Sequence, residues 1–480
     1  MLEIINNTKR TTTNKPLVYG AFEKTDTLAI DAKLDDELKE LIKKEQISFK
    51  LGKINKIFTF GKISHDVLYL IGLGKKEEYS YEQLEESLRE VNYKLGDELH
   101  FDLASFSLGL NDEEVAKRIV QTIGIYNYHY DECLSEKTTN QLKLKFISEH
   151  NLKSALEEAL WLVTAIDNTR DLVNKPYNYL SASDLAEYAL HLCASLEDDK
   201  VTARIYNKQE IADLGMGAFL GVNKGSTAEP KLIHLVYQNG SQKPIALVGK
   251  GLMYDTGGYS LKQSMNNMKD DMAGAATVLG VFELVVKKQM PINLQLIICA
   301  TDNRINGEAL LPDDVLTAMN KKTIEIVSTD AEGRLTLADA VCFAQKQGCG
   351  EVIDIATLTG AVVVALGEYT TGLFGNDQKA IKQMLEAGKK ANEEIWELPI
   401  NDHIRKQVRS SKVADLTNST GRTMGASSGA AFIEAFIDKP TKWMHLDIAG
   451  TSFHTSPARK EPYGATGVMV KTLYQYLLNQ

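Results

Sequence analysis

The sequence is short of cysteine. Five occur in 480 residues, at positions 133, 193, 299, 342 and 349, scattered and without C-x-x-C spacing. That set supports neither a disulfide framework nor a thiolate zinc site, and it predicts free buried thiols in a reducing cytoplasm. Long apolar runs are missing too. No stretch of about 18 apolar residues occurs, which argues against a membrane-spanning helix. The most apolar long stretch, Val352 to Leu366, is interrupted by Asp354, Thr357 and Thr359 and reads as a buried strand and loop. The opening residues, M-L-E-I-I-N-N-T-K-R, lack the apolar centre of a signal peptide. Positive charge is in deficit, 54 Lys and Arg against 64 Asp and Glu, for a formal net charge of −10. Broad binding to nucleic acid or to an anionic membrane is therefore not expected.

What remains is a globular composition, 44% hydrophobic and 25% charged, which can build a sizeable core without staples. The length predicts two or three domains. Up to residue 150, strand and helix signals alternate. Asp66–Leu73 and Phe101–Leu108 read as strands, and Leu84, Leu88, Val91 and Leu95 mark a helix face. Asn111 is placed to cap the next helix. Leu142, Leu144 and Phe146 alternate with lysines, which suggests an edge strand with a solvated face. The aromatic run Tyr126–Tyr130 around His129 reads as packing. Ser154–Val173 reads as a connecting helix ended by Asn174, Lys175 and Pro176. Longer units follow, with strands expected near Ile245–Val248, Leu294–Ala300, Thr323–Val327, Val352–Ile355 and Met444–Ile448, and the clearest helix over Asp271–Lys288. The expectation is an α/β chain with a small domain over 1–150, a linking helix over 151–175 and a larger domain over 176–480.

The most informative stretch is Ser328 to Leu335, S-T-D-A-E-G-R-L. In an extended segment, Asp330, Glu332 and Arg334 at i, i+2 and i+4 would share one face, with Gly333 free to bend the backbone. A β-branched strand, T-I-E-I-V, precedes it, and a helix is expected over Leu335–Gln347. Alone, a D-x-E-x-R segment is an ordinary acidic turn. A second cluster, G-K-G-L-M-Y-D-T-G-G-Y-S-L-K, follows the strand at 244–248 and carries Lys250, Asp255 and Lys262, with Asp271 at the next helix start. Its glycines, 249, 251, 257 and 258, would let backbone approach a ligand. Phosphate-loop spacings are absent.

Asp255, Asp271, Asp330 and Glu332 carry four negative charges if ionised. Crowded together they would raise each other's pKa, and two divalent cations would neutralise them. Both clusters lie at carboxyl ends of expected strands, where α/β sheets place ligands. Oxygen ligation without His or Cys suits Mg²⁺, Mn²⁺, Co²⁺ or Zn²⁺, and two such ions would activate a bridging water as hydroxide.

These blocks, with M-K-D-D-M-A-G-A-A, R-D-L-V-N-K-P at 170–176, W-E-L-P at 396–399 and H-L-D-I-A-G at 445–450, resemble the signatures of the leucyl (cytosol) aminopeptidase family. The resemblance covers most of residues 160–480. It implies a homohexamer in the cytoplasm, a macro-like α/β N-terminal domain related to oligomerisation, and a C-terminal catalytic domain with a mixed, mostly parallel sheet flanked by helices. It also implies a dinuclear centre. Asp255 and Glu332 would bridge the two metals, Mn²⁺ or Zn²⁺, with Mg²⁺ or Co²⁺ acceptable in the exchangeable site. Asp330 would complete one site, and Lys250 and Asp271 the other. Lys262 would polarise the scissile carbonyl, and Arg334 would hold a bicarbonate acting as general base. Met268, Thr357, Leu358, Gly360 and Ala449 would line a pocket for an apolar first residue, such as leucine, of a peptide with a free N-terminus. Ser328, Met253-Tyr254 and Ser452 depart from the family pattern. Asp270 is an extra carboxylate, read as a solvated helix-start residue.

Two other readings were open to the sequence. G-A-S-S-G at 425–429 matches G-x-S-x-G, which would make Ser427 a nucleophile with Asp447 and His445 or His454 behind it, although the preceding N-S-T-G-R-T-M is turn-like rather than a strand. A catalytically silent binding protein on the same scaffold is the other.

Overall fold

A computed structural model describes residues 2–7, 13–137, 142–455 and 462–480. The chain divides into two compact units, the first made mainly of residues up to Thr164 and the second mainly of residues from Ala165, the division falling within helix Lys153–Asn174. Both are α/β, with sheets flanked by helices. Among the described residues no helix is long and apolar enough to cross a membrane. All five cysteines are free; Cys133 is exposed and Cys299, Cys342 and Cys349 are buried.

The first unit is built on six strands: β1 (Leu2–Asn7), β2 (Leu17–Ala21), β3 (Ile54–Phe58), β4 (Val67–Gly72), β5 (Glu98–Asp102) and β6 (Leu142–Ile147), ordered β1-β6-β5-β2-β4-β3. All neighbours are parallel except β3 with β4. Alternation in β2 sends Leu17 to one core, with Leu34 and Leu38 of helix Ala32–Lys43, and Val18 to another, with Leu84 and Ile119. Asn111 caps helix Asp112–Tyr126 through its side chain.

Two strand expectations fail here. β6 is not an edge strand, because β1 pairs along its outer side. Its lysines mark a solvated face (Lys143 and Lys145 are half-buried), and facing solvent is a different property from lying at an edge. The strand expected over Phe101–Leu108 stops at Asp102 and gives way to a helical turn, Ala104–Ser107. Asp102 and Ser105 bond each other's backbone, the local competition with ladder bonds that short polar side chains offer.

In the second unit, β7 (Val201–Tyr206), β8 (Lys231–Gln238), β9 (Ile245–Asp255), β10 (Asn293–Asn303), β11 (Val315–Thr317), β12 (Thr323–Glu325), β13 (Glu351–Ala356), β14 (Thr370–Gly375), β15 (Glu394–Glu397), β16 (Leu416–Thr417) and β17 (Lys442–Asp447) form two sheets. The larger runs β15-β14-β17-β13-β9-β10-β8-β7, with a parallel centre from β17 to β10. Its central strands are buried almost throughout, which is why they read as apolar runs rather than alternations. The small sheet β11-β12-β16 braces the segment leading to Asp330. The chain leaves β9 toward β10 and leaves β13 toward β17, so direction reverses between β9 and β13. The ligand crevice of such a sheet opens there.

β9 runs well past Val248, so Gly249 and Gly251 are strand residues. A Cβ on Gly249 would lie 2.6 Å from Ala275 Cα, and one on Gly251 would lie 2.7 Å from Ile298 Cγ2. Those two glycines admit neighbouring helix and strand, not a ligand. Gly257 and Gly258, at φ 84 and 60, form the turn. After β13 the stretch expected to be a loop ends in helix Gly360–Leu366, capped by Thr359.

Candidate metal centre

Asp255 ends β9 and is 2% exposed. Asn303 Nδ2, at the end of the adjacent β10, donates to Asp255 Oδ1 at 2.8 Å and to Thr329 O at 3.0 Å. One amide thus ties both clusters together. Thr329 Oγ1 closes the seam by donating to Gly257 O at 2.6 Å.

The segment carrying Asp330 and Glu332 is not extended. Asp330 lies in a turn, Glu332 already has helical φ and ψ, and the helix runs from Gly333 to Lys346. The two carboxylates converge because the chain turns between them. Arg334 starts up the helix, where Nη1 donates to Asn418 O at 2.9 Å. Gly333 has a second purpose: a Cβ there would come within 2.3 Å of Lys250 Cε.

Oxygens of Asp255, Asp330 and Glu332 all lie within 4.8 Å of one another. Lys262 Nζ lies 2.7 Å from Asp255 Oδ2 and 2.6 Å from Asp330 Oδ1. Lys250 Nζ lies 2.6 Å from Asp271 Oδ1, 3.1 Å from Glu332 Oε1 and 2.9 Å from Thr357 O. Thr357 Oγ1 adds a hydrogen bond to Asp271 Oδ1 at 2.9 Å. Two ammonium groups therefore sit among four carboxylates.

That leaves negative charge uncompensated. Desolvation, helped by Glu332, raises Asp255 to about 6, and desolvation holds Asp271 well above the carboxylate range. Burial works against ionisation of Glu332 too, but Lys250 and Lys262 outweigh it and the net direction is down. Burial likewise opposes the Lys250 and Lys262 ammonium groups, and the surrounding carboxylates reverse it. Asp271 Oδ2 and Glu332 Oε2 are buried without a hydrogen-bond partner. Buried carboxylate oxygens in that condition cost free energy unless a cation meets them. The donor set fits hard or borderline divalent metal ions. Asp270, half-buried in the turn Met268–Met272, is less solvated than expected, and burial lifts its carboxyl to about 6.

Three further buried residues hold the surroundings, Asn303 and Asn418 outside any motif and Asp447 within H-L-D-I-A-G. Asn303 has been described. Asn418 accepts from the N–H groups of Val327 and Ser328 at 2.8 and 3.2 Å and donates to Ser328 O at 2.6 Å. Asp447 accepts from Leu358 N at 3.1 Å and Thr359 Oγ1 at 2.7 Å, fixing the loop after β13. Of the residues expected to line a pocket, Thr357, Leu358 and Gly360 belong to that loop or the helix it opens. Ala449 follows β17, and Met268 begins the turn leading to Asp271.

The serine-nucleophile expectation fails on geometry. Ser427 is a buried residue on the first turn of helix Gly425–Glu434, and the residues before it form no strand. His445 is engaged elsewhere: its Nδ1 meets Asp354 Oδ1 at 2.5 Å, and Trp443 Nε1 holds the other oxygen at 2.7 Å.

Fold and site together define a two-domain α/β protein whose crevice gathers carboxylates suited to divalent metal ions. The sequence profile of the cytosol aminopeptidase family's catalytic domain matches residues 167–474, and that of its N-terminal domain matches residues 17–137. The chain belongs to the cytosol aminopeptidase family and is a metal-dependent aminopeptidase. Among solved structures it is similar to the bottromycin maturation enzyme BotP in complex with Mn, at 27% identity and a TM-score of 0.87, over 97% of this chain and 99% of that one. A second BotP structure matches at 28% identity and a TM-score of 0.86 with the same coverage.

Proposed function

We propose that the protein releases apolar, leucine-like residues from the free N-termini of peptides at a dinuclear centre. The observation that carries this reading is the meeting of Asp255 with Asp330 and Glu332, with Asp271 joined to Glu332 through Lys250, which leaves two buried carboxylate oxygens unpaired. Asp255 and Glu332 would bridge two divalent ions, Asp330 completing one site and Asp271 the other together with Lys250, whose ammonium would give up its proton beside the divalent charge. Mn²⁺ or Zn²⁺ suits the donor set, and Mg²⁺ or Co²⁺ suits an exchangeable position. When bound, the ions supply water activation and polarisation of the scissile carbonyl.

The chain's own residues do the rest. Lys262 is partly exposed at the mouth of the cluster, and its ammonium can turn from Asp255 and Asp330 toward the substrate carbonyl to stabilise developing negative charge. Arg334 is buried and its Nε lacks a partner, so it suits a small planar anion such as bicarbonate. That anion would take the proton that an arginine cannot. Met268, Thr357, Leu358, Gly360 and Ala449 would receive the first side chain. A cytoplasmic homohexamer, with the first unit serving assembly rather than chemistry, completes the reading.

The test is an assay of aminoacyl amides on chelator-stripped protein, with Mn²⁺, Zn²⁺, Co²⁺ and Mg²⁺ restored singly. Leucinamide should be cleaved in preference to glutamyl and lysyl amides, and its N-acetylated form not at all. Equal turnover of the acetylated amide would reject the exopeptidase reading.

A further inference from the structure

The first unit holds a cavity of about 710 Å³ whose lining shares no residue with the metal centre. It sits at the carboxyl ends of β4, β2 and β5, lined by the loops that follow them: Phe22–Ala29, Lys75–Glu77 and Ala104–Leu108. The chain runs from β2 outward to β3 and β4, then returns past β2 to β5 and β6. Direction therefore reverses between β2 and β5, where a parallel sheet leaves a crevice. The volume falls within the roughly 300–1,000 Å³ of small-molecule sites.

Backbone strain gathers around it. Lys24, Ala29 and Leu108 line the cavity with φ of 61, 56 and 27, three of the five non-glycine residues with positive φ described in this unit. Each such conformation costs on the order of 1–3 kcal/mol and recurs at ligand clamps. The walls are fixed. Tyr19 Oη donates to Leu28 O at 2.6 Å, and Ser105 Oγ accepts from Gly20 N at 2.9 Å while donating to Asp102 O at 2.7 Å.

The lining selects by charge. Lys24, Lys75 and Lys76 balance Glu23, Glu77 and Asp102, so a polyanion gains little. The distribution is uneven, however. Lys24 and Lys76 stand exposed on the loops after β2 and β4, while the nearly buried Asp102 ends β5 on the other side. Lys75 is engaged with Glu78 at 2.8 Å. Phe22, Leu28, Ala104 and Leu108 supply apolar surface. We propose that this cavity is a second binding site, for an amino acid or short peptide with both termini free: the carboxylate toward Lys24 and Lys76, the ammonium toward Asp102 and the side chain on the apolar surface.

Hydrogen exchange of the full-length, metal-loaded protein tests this with free leucine, N-acetyl-leucine and N-acetyl-leucine amide as probes. Leucine should slow exchange across residues 20–29, 73–78 and 102–108, and the two blocked forms should not. The double variant Lys24→Glu/Lys76→Glu should weaken that protection about tenfold, the loss of a charge-assisted contact, with leucinamide hydrolysis unchanged. Protection confined to the second unit, no protection at all, or equal protection by a blocked form would overturn the proposal.

Discussion

Gly333 makes room for Lys250: a Cβ on the first residue of the helix would come within 2.3 Å of the lysine's Cε. The lysine needs that path to reach Asp271 and Glu332.

Gly333→Ala therefore tests the lysine's part in metal binding. Alanine is the better helix former by up to about 1 kcal/mol, but moving Lys250 off Asp271 and Glu332 leaves buried charge unpaired and outweighs that gain, so the Tm of the metal-free protein should fall. Metal affinity, measured by competition with a chelator, should fall about 10- to 100-fold, the range for losing a ligand's positioning partner. Unchanged affinity would show that Lys250 takes no part in the centre.

Lys262→Ala probes the chemical step. Metal content should be retained while kcat on leucinamide falls by roughly two to four orders of magnitude, on the scale of removing an oxyanion donor or a general acid. A wild-type rate would remove Lys262 from the mechanism.

Asp447→Ala takes the acceptor from Leu358 N and Thr359 Oγ1 and loosens the loop carrying the proposed side-chain pocket. KM for leucyl substrates should rise about tenfold with kcat little changed, because the lost contact serves binding in ground and transition state alike. Asp447→Asn keeps a carbonyl acceptor and should recover part of the loss. A fall in kcat at constant KM would assign Asp447 to the chemical step instead.

Asp339 gives a pH-dependent stability. Desolvation raises its carboxyl from the ordinary 3.8 to about 7, against the pull of backbone N–H bonds from Phe219 and Met319. A carboxyl with a raised folded pKa favours the native state most fully below its unfolded value. That contribution is lost as pH rises from about 4 through about 7 and is constant above. Asp339→Asn lacks this titration. The Tm of the variant minus that of the wild type should therefore grow more positive between pH 4 and pH 8, whatever constant offset the amide introduces. A difference independent of pH would contradict the assignment.

The α/β class and the charged residues of the site were legible because both rest on residue type. Four carboxylates near two lysines pose an electrostatic problem wherever the chain goes, and apolar runs such as Leu294–Ala300 can hardly be anything but buried strands. What stayed hidden depends on tertiary neighbours. Gly249 and Gly251 look like a ligand loop until Ala275 and Ile298 are seen against them. Asn303 and Asn418 each act through hydrogen bonds to backbone or carboxylate far away in sequence, and an isolated Asn carries no periodic signal; Asp447 stood in view within H-L-D-I-A-G, but its bonds to Leu358 and Thr359 did not. The alternation Phe101–Leu108 mimics a strand, yet Ser105 bonds Gly20 and Asp102 and so turns the chain. The i, i+2, i+4 spacing of Asp330, Glu332 and Arg334 predicted one extended face. A turn followed by a helix start joins the two carboxylates instead and leaves the guanidinium on Asn418.

The most direct measurement of the central claim is metal stoichiometry by elemental analysis, paired with leucinamide hydrolysis, on wild type and Asp255→Ala after stripping and reloading with Mn²⁺. The account predicts two ions per chain and restored activity in the wild type, and loss of both metal and activity in the variant. Full occupancy in Asp255→Ala, or hydrolysis that persists in stripped wild type, would contradict it.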